Sequence, residues 1–210
     1  MSIDAAIAAF ADDFIREDDA LLAARDAADQ FGVESLSAAT CACIGTLAAA
    51  VRARNLVEIG TGVGVSGLYL LRAMEPGGVL TTIDVEAEHH KAARAVFASG
   101  GFPPERTRLI TGRALDVLPR LTDGGYDVVL IDGRRSEFAG YMEHALRITR
   151  PGGLVVMAHA LARGRVADPA QRDPETTAVR EALRIVRHRD DVRASLLTVG
   201  DGVLTVMTAN

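Results

Sequence analysis

The segment Val57-Glu58-Ile59-Gly60-Thr61-Gly62-Val63-Gly64-Val65-Ser66-Gly67 is the most informative stretch of this 210-residue chain. It predicts a short apolar strand, then a glycine-rich turn, then the beginning of a helix. Gly60, Gly62 and Gly64 carry no Cβ atom, so the backbone of the turn can bend sharply and approach a ligand closely. Because the helix would direct its free N–H groups at the same place, the pattern favours a nucleotide-like cofactor.

Beyond this segment, apolar runs alternate with helical patterns along most of the chain. We predict strands at residues 55–59, 79–84, 107–110, 126–131 and 154–157, and helices at residues 65–74, 87–99, 114–121 and 136–148. Such alternation indicates βαβ units and a mostly parallel sheet. A loop at 161–174 and a helix at 175–187 follow. Two apolar runs at 194–199 and 203–207 then flank Gly200-Asp201-Gly202, which predicts an antiparallel hairpin.

Two helical patterns, at residues 3–30 and 36–53, precede the first strand. We therefore expect one domain over residues 1–210, with N-terminal helices at 1–53 and a cofactor-binding α/β core at 54–210. The predicted fold is Rossmann-like: a seven-stranded, mostly parallel sheet with a C-terminal antiparallel hairpin, helices on both faces and extra N-terminal helices. These extra helices offer apolar surface beyond a single core, which predicts a symmetric homodimer.

Composition and charge narrow the possible partners. The chain has a net charge of −5, whereas a nucleic-acid-binding surface needs a basic face, so we expect no nucleic-acid partner. No apolar run is long enough for a membrane span, and residues 1–13 lack the basic start of a signal peptide, so we expect no membrane association. Cys41 and Cys43 would point to different faces of a helix, which argues against a disulfide between them. They are expected as small buried residues in a reducing cytoplasm.

The glycine turn alone is ambiguous about its ligand. Gly62, Gly64 and Gly67 fit the dinucleotide pattern G-x-G-x-x-G, whereas Gly60, Gly62 and Gly64 fit G-x-G-x-G preceded by an acidic residue. Asp84 ends the second predicted strand, where a carboxylate can accept both ribose hydroxyls or, alternatively, cap the next helix. The turn and Asp84 together favour an adenosine-containing cofactor.

Polar residues also follow the next three predicted strands. Gly112-Arg113-Ala114 follows the third strand and either borders an adenine or forms a plain turn. Asp132 and His159 follow the fourth and fifth strands, whose carboxyl ends meet at one edge of the sheet. Asp132 can bind a metal, a substrate hydroxyl or a cofactor amino group, or it can cap a turn; His159 can be structural or functional. The remaining histidines are expected at the surface: His89, His90, His144 and His188.

As a set, these motifs resemble the class I S-adenosylmethionine-dependent methyltransferases, and more narrowly the small O-methyltransferases of the catechol and caffeoyl-CoA type. The resemblance covers residues 36–208. It rests on the glycine segment, Thr82-Ile83-Asp84, Gly112-Arg113-Ala114, Tyr126-Asp127-Val128-Val129-Leu130-Ile131-Asp132, Pro151-Gly152-Gly153, Arg163-Gly164-Arg165-Val166 and the terminal hairpin. It implies an enzyme that methylates the hydroxyl of a small phenolic or similar molecule and leaves S-adenosylhomocysteine as product.

The resemblance also implies roles for individual residues. Glu58 and Gly60 would hold the amino-acid end of the cofactor, Ser66 would cap the first helix near its carboxylate, and Asp84 would hold the ribose. Asp132 would lie beside the transferred methyl group. The implied cofactor-binding set is Leu36, Ser37, Glu58, Gly60, Thr61, Gly62, Gly64, Ser66, Asp84, Val85, Gly112, Arg113, Ala114 and Asp132.

Two positions depart from the pattern of this family. The family places Asp-Asn after the fifth strand as metal ligands, and these positions read Ala158 and His159 here. It places a lysine, its base, three residues after the acid of the fourth strand, and that position is Arg135. Asp132 and His159 offer too few oxygen ligands for a magnesium cage, so we predict no bound Mg²⁺. Because an arginine stays protonated, it cannot replace lysine as an ordinary base.

We therefore expect His159, Asp132 and Arg135 to be the catalytic residues. A neutral His159 can take the proton of the substrate hydroxyl, and Arg135 can stabilise a phenolate or carboxylate. Two alternatives remain open. An NAD-binding oxidoreductase would need a second parallel half-sheet after the fifth strand. A catalytically eroded protein, suggested by Ala158, would bind the cofactor without turnover.

Overall fold

A seven-stranded sheet forms the centre of the protein in a computed structural model that describes residues 3–209. The predicted domain limits at residues 1 and 210 lie outside the described residues. The sheet order is β3-β2-β1-β4-β5-β7-β6, with β1 to β5 parallel and β7 antiparallel to its neighbours β5 and β6. The strands are β1 Asn55–Ile59, β2 Val79–Asp84, β3 Thr107–Thr111, β4 Tyr126–Ile131, β5 Thr149–Met157, β6 Val192–Leu197 and β7 Val203–Thr208. This order confirms the predicted mostly parallel sheet and its terminal antiparallel pair.

Helices cover both faces of this sheet. Within residues 3–209, none of them combines the length and the hydropathy needed to cross a bilayer. Short 3₁₀ segments occur at Pro104–Arg106, Leu118–Arg120, Arg135–Glu137 and Ala162–Ala167. The α-helices are α1 Ile3–Asp13, α2 Asp19–Phe31, α3 Ala38–Ala50, α4 Val65–Ala73, α5 Ala87–Ser99, α6 Ala114–Val117, α7 Phe138–Ile148 and α8 Pro174–Arg187.

The sheet separates two apolar layers because successive strand residues point to opposite faces. In β4, Val128 and Leu130 pack into a layer with α2, α3, α4 and α5. Val129 and Ile131 pack into the opposite layer with α6, α7 and α8. All four side chains are fully buried. A strand buried on both faces explains why β4 reads as a continuous apolar run in the sequence.

The N-terminal helical pattern is interrupted where a single stretch at 3–30 was predicted. The chain leaves the helix after α1, and Asp18 begins α2 by accepting a hydrogen bond from the N–H of Leu21 at 3.1 Å. Ser37 caps α3 in the same way, accepting from the N–H of Thr40 at 3.3 Å. Side-chain oxygens of this kind satisfy the first N–H groups of a helix. Leu36 and Ser37 therefore lie in a loop, not in the predicted helix at 36–53.

The strand β5 begins five residues earlier than the predicted 154–157, because Pro151-Gly152-Gly153 is part of it. The pairing of β4 with β5 shifts between Tyr126–Thr149 and Val128–Leu154. Such an irregularity accommodates a proline, which has no N–H to give to a ladder. The predicted loop at 161–174 contains a 3₁₀ segment, and β6 begins at Val192 instead of residue 194.

Candidate functional site

A cavity of about 530 Å³ lies at the carboxyl ends of β1 and β4. β1 stands between β2 and β4, so the strand order reverses direction at this point. Ligands of open α/β sheets bind at such reversals. The loops that follow β1, β2, β3 and β4 form most of the wall, and residues 33–36, between α2 and α3, complete it.

The glycine turn after β1 forms one side of the cavity. Gly60 has a φ of +98°, and a Cβ atom on it would overlap the carbonyl oxygen of Asp132, so this position requires glycine. The N–H of Gly62 donates to Oδ2 of Asp84 at 2.9 Å. Gly64 is the N-cap of α4 and gives it no side-chain hydrogen bond. The first N–H groups of α4 are thus not capped by a side chain, as in helix termini that bind anionic groups.

Asp84 closes β2 on the neighbouring wall. Its carboxylate accepts the N–H groups of Gly62 and Glu86, at 2.9 and 3.0 Å. A carboxylate has about four acceptor positions, so positions remain for ligand hydroxyls. His89 lines the cavity beside it, with Nδ1 at 3.4 Å from Oδ1 of Asp84. That Nδ1 is buried and has no hydrogen-bond partner among the described residues, so the predicted surface position of His89 is wrong.

A buried hydrogen-bond chain supports the glycine turn from the sheet side. Glu58 is fully buried, and its two carboxylate oxygens accept hydrogen bonds from the hydroxyls of Ser66 and Thr82, both at 2.6 Å. Burial raises the pKa of Glu58 to about 8, although these two hydrogen bonds act in the opposite direction. Above a pH of about 8, where Glu58 is ionised, Thr82 gives its hydrogen to Glu58, and the hydroxyl of Thr61, 2.7 Å away, then donates to Thr82.

His90 continues this chain, and it is buried where the sequence predicted a surface position. Its Nε2 lies 3.1 Å from the hydroxyl of Thr61, and its Nδ1 lies 2.9 Å from the hydroxyl of Thr111. With Glu58 ionised, the order of donors puts the proton of His90 on Nε2. His90, Ala93 and Phe97 share the buried face of α5. Their helical spacing is the signal that identifies His90 as an inward-facing residue.

Asp132 and His159 meet at the carboxyl ends of β4 and β5. Nε2 of His159 lies 3.3 Å from Oδ1 of Asp132, and the two side chains are 10% and 13% exposed. On the other side of the ring, Nδ1 lies 3.2 Å from Oδ2 of Asp201 and 3.2 Å from Nη2 of Arg135. The imidazole is therefore held between two carboxylates and one guanidinium.

Burial and charge shift the protonation of both groups. Burial lowers the pKa of His159, but its hydrogen bond to Asp132 and the charge of Asp132 together raise that pKa above its usual value. Burial raises the pKa of Asp132, and the hydrogen bond with His159 offsets only part of the shift. Asp132 and His159 consequently titrate as a pair that can take up a proton from a hydroxyl in the cavity.

Glu34 connects the N-terminal part of the chain to the region around Asp132 and His159 at the carboxyl ends of β4 and β5. Its carboxylate accepts hydrogen bonds from Nη2 of Arg135 at 3.0 Å and from Nη2 of Arg163 at 2.9 Å. Glu34 lies on the loop between α2 and α3 and lines the cavity. The two ion pairs hold this loop beside the catalytic candidates.

Comparison with known protein families shows to which family the chain belongs. The model of the O-methyltransferase family matches residues 22–209. The chain belongs to the O-methyltransferase family. A relative from Mycobacterium marinum, named provisionally as an O-methyltransferase, is 43% identical over 201 residues, which is 96% of this chain and 90% of the relative.

Solved structures resemble this O-methyltransferase over nearly its whole length. The O-methyltransferase TomG from Streptomyces achromogenes, involved in tomaymycin synthesis and in complex with S-adenosylmethionine, is 31% identical, with a TM-score of 0.86, and 93% of this chain and 92% of TomG are covered. An O-methyltransferase from Bacillus cereus in complex with S-adenosylhomocysteine is 25% identical, with a TM-score of 0.88 and 97% of each chain covered. A Corynebacterium glutamicum protein is 29% identical, with a TM-score of 0.92 over 100% and 98%.

The O-methyltransferase brings most of its predicted cofactor-binding residues to one cavity. The wall includes Leu36, Gly60, Thr61, Gly62, Ser66, Asp84, Val85, Gly112, Arg113, Ala114 and Asp132. Five predicted site residues lie outside the wall: Ser37, Glu58, Gly64, Arg135 and His159. Ser37 caps α3, Glu58 supports Ser66 and Thr82, and His159 contacts the wall through Asp132. Sequence reasoning missed the wall residues Glu34 and His89 and the partner of His159, Asp201.

Two further expectations from the sequence concern the absence of bound Mg²⁺ and the alternative activity of an NAD-binding oxidoreductase. Among the described residues, no group of three or more His, Cys, Asp and Glu side chains is arranged to hold a metal ion. The residues present do not fit the metal site of the family, because Ala158 has no ligand atom and His159 is engaged by Asp132 and Asp201. The absence of bound Mg²⁺ stays a prediction. After β5 the part of the chain that the structure describes forms an antiparallel pair, and it contains no second parallel half-sheet of the kind that the oxidoreductase alternative requires.

Proposed function

We propose that this O-methyltransferase binds S-adenosylmethionine in the cavity at β1 and β4 and methylates the hydroxyl of a small phenolic or similar molecule. The observation that carries the proposal is the placement of Asp132, paired with His159, in the same cavity as the glycine turn and Asp84. Complexes of TomG with S-adenosylmethionine and of the Bacillus cereus enzyme with S-adenosylhomocysteine support the choice of cofactor.

The residues of the cavity fit this cofactor. Gly60 lets the turn after β1 pass close to the backbone of Asp132 in the cavity wall, and the start of α4, which has no side-chain cap, suits a carboxylate. Asp84 has acceptor positions for the two ribose hydroxyls, and Nδ1 of His89, which has no hydrogen-bond partner among residues 3–209, lies 3.4 Å from Oδ1 of Asp84. Gly112-Arg113-Ala114 would border the adenine, and Leu36 the methionine part. We assign Glu58 a supporting role, since it holds Ser66 and does not line the cavity.

When bound, S-adenosylmethionine supplies a methyl group on a positively charged sulfur, and the carbon–sulfur bond breaks as the acceptor oxygen forms its bond to carbon. The protein aligns the acceptor and excludes water. A phenol has a pKa of about 10, so its oxygen becomes a good nucleophile only when its proton is removed or shared. The Asp132–His159 pair takes this proton, and the electron pair of the broken bond stays on sulfur.

The pair can act as a base only in its deprotonated state. Because the pKa of His159 is raised, the rate of methyl transfer should increase with pH to above the usual range for histidine. Arg135 donates to Glu34 and places its positive charge 3.2 Å from Nδ1 of His159, so we assign it an electrostatic role beside the imidazole.

The test begins with thermal melting. S-adenosylhomocysteine should raise the melting temperature, whereas NAD should not, because only a ligand that binds the folded protein stabilises it. Methyl transfer to a panel of phenols would then be measured with the wild type and with His159→Ala. An unchanged rate in His159→Ala would remove His159 from the mechanism. Cofactor binding without turnover on any acceptor would favour the catalytically eroded alternative.

We also propose that the protein acts as a homodimer in the cytoplasm. Ile7, Phe10 and Phe14 are 62%, 75% and 77% exposed, and their spacing places them along one side of the N-terminal segment. An apolar stripe of this kind is typical of interfaces between subunits. Cys41 and Cys43 carry free thiols, which suits a reducing compartment. Cell fractionation would test the location.

A further inference from the structure

The loop after β5 is fastened to the turn between β6 and β7, and this brings Asp201 beside His159. The N–H of Leu161 donates to the carbonyl oxygen of Asp201 at 2.9 Å, and the N–H of Arg163 donates to Oδ1 of the same residue. His159 itself has a φ of +54°, a left-handed conformation that non-glycine residues adopt only when their surroundings hold them there. The hairpin therefore determines where the imidazole ring lies.

Nδ1 of His159 has two neighbours that it cannot satisfy together. If Nδ1 carries a proton, it donates to Oδ2 of Asp201 at 3.2 Å. If it carries none, it accepts a hydrogen bond from Nη2 of Arg135, also at 3.2 Å. A neutral imidazole carries one proton, so the choice at Nδ1 determines whether Nε2 has a free lone pair. Nε2 faces Asp132, which lines the cavity.

We propose that Asp201 is a positioning residue that keeps a proton on Nδ1 of His159 and thereby leaves Nε2 for the proton taken from the cavity. Asp132, His159 and Asp201 then form a chain of carboxylate, imidazole and carboxylate. The proton of the acceptor hydroxyl moves to the site shared by Asp132 and Nε2, and Asp201 stabilises the charged ring that results. The inference rests on the proposed function, because that function makes Asp132 and His159 the proton acceptor.

The charged groups around the ring determine the sign of each effect. Asp132 at the end of β4 and Asp201 in the hairpin turn favour the charged ring. Arg135 opposes it, and Glu34, which is paired with Arg135 and Arg163, adds negative charge from the loop after α2. Removal of the negative charge of Asp201 should lower the pH at which His159 titrates. Removal of the positive charge of Arg135 should raise it.

Nitrogen NMR of the histidine rings tests the proposal without any substrate. In the wild type above its titration midpoint, we expect the proton on Nδ1 and a bare Nε2. In D201N, the midpoint should fall by about one pH unit and the proton should move to Nε2. In R135M, the midpoint should rise and the proton should stay on Nδ1. H159Q identifies the signals of His159 among those of the five histidines.

D123N is the matched charge control. Asp123 is an exposed carboxylate paired with Arg147, in the loop before β4 and so at the opposite edge of the sheet. Its removal should leave the midpoint of His159 unchanged. A wild-type proton on Nε2, or an unchanged midpoint in D201N, would overturn the proposal. If D201N does not fold, the wild-type tautomer and the direction of the R135M shift decide the matter.

Activity gives a second measurement. D201N should reduce the rate of methyl transfer by about 10²- to 10⁴-fold while its affinity for S-adenosylhomocysteine stays the same, and its pH–rate profile should move with the NMR midpoint. A merely structural role would leave that profile in place and would overturn the proposal. If the wild type binds S-adenosylhomocysteine but methylates no acceptor, the proposed function fails, and the NMR result alone judges the role of Asp201.

Discussion

Glu58 shows how one buried carboxylate makes stability depend on pH. Burial raises its pKa from 4.5 to about 8, so between these values the unfolded chain is ionised at this residue while the folded protein still binds the proton. Stability from this group is complete below pH 4.5 and is lost as the pH rises to about 8. Glu58→Gln should remove this loss. Urea unfolding at several pH values would measure it.

The control for Glu58→Gln is Glu105→Gln, at an exposed position in the 3₁₀ segment before β3. That substitution should leave the pH dependence of the unfolding free energy unchanged. If the wild type and Glu58→Gln lost stability in parallel between pH 4.5 and 8, Glu58 would not be the group responsible.

The alanine at position 158 also leads to a prediction of how metal chelators affect the rate of methyl transfer. Ala158 supplies no ligand atom, and His159 is engaged on both sides, so we expect EDTA to leave the rate of methyl transfer unchanged. Methyl transfer measured with EDTA, and again after addition of Mg²⁺, is the test. A loss of rate that Mg²⁺ restores would show that a metal site forms despite Ala158.

At the scale of elements, the segments that follow the paired strands β1 and β4 come together at Gly60 and Asp132. In Gly60→Ala the new Cβ would overlap the carbonyl oxygen of Asp132, and the backbone there has a positive φ as well. We expect a loss of roughly 3 kcal/mol or more in the free energy of unfolding, since the overlap adds to the backbone strain. The affinity for S-adenosylhomocysteine, measured by calorimetry, should fall at least about tenfold.

Gly77→Ala separates backbone strain from the overlap. Gly77 has a φ of +78°, but a Cβ atom there would meet no atom of the described residues within 4 Å. It should therefore lose only about 1–2 kcal/mol and keep its affinity for S-adenosylhomocysteine. Equal losses in the two variants would mean that contact between β1 and β4 is not what requires glycine at position 60.

At the scale of the whole molecule, the N-terminal segment predicts how two copies assemble. If Ile7, Phe10 and Phe14 lie at the interface of a homodimer, Phe10→Glu should convert dimers to monomers, because it would bury a charge without a partner. Light scattering would give the mass. Leu196→Glu, at an exposed position on β6, should leave the dimer intact. Dissociation by Leu196→Glu alone would instead place the interface at the edge of the sheet.

Local patterns were sufficient for a large part of this protein. Strand and helix periods predicted the order of elements from β1 to β7, and the need for glycine at positive φ identified the turn at Gly60. Asp84 was predicted to bind the same ligand because it closes the second strand after the turn, where a carboxylate can accept the ribose hydroxyls. Local patterns failed where one pattern fits two structures. Pro151-Gly152-Gly153 is typical of a helix end, but here it lies within a bulged strand.

The side chains that surround His159 could not be predicted from local sequence patterns. Asp201 lies 42 residues from His159 and Glu34 lies 101 residues from Arg135, and each contact exists because the hairpin and the α2–α3 loop pack against the same region at the carboxyl ends of β4 and β5. The period of apolar residues, 2 in a strand and 3.6 in a helix, specifies which face of the element is buried. The need for glycine at a positive φ concerns only a few neighbouring residues. Neither carries information on which distant side chains will meet, since that depends on how complete elements pack together.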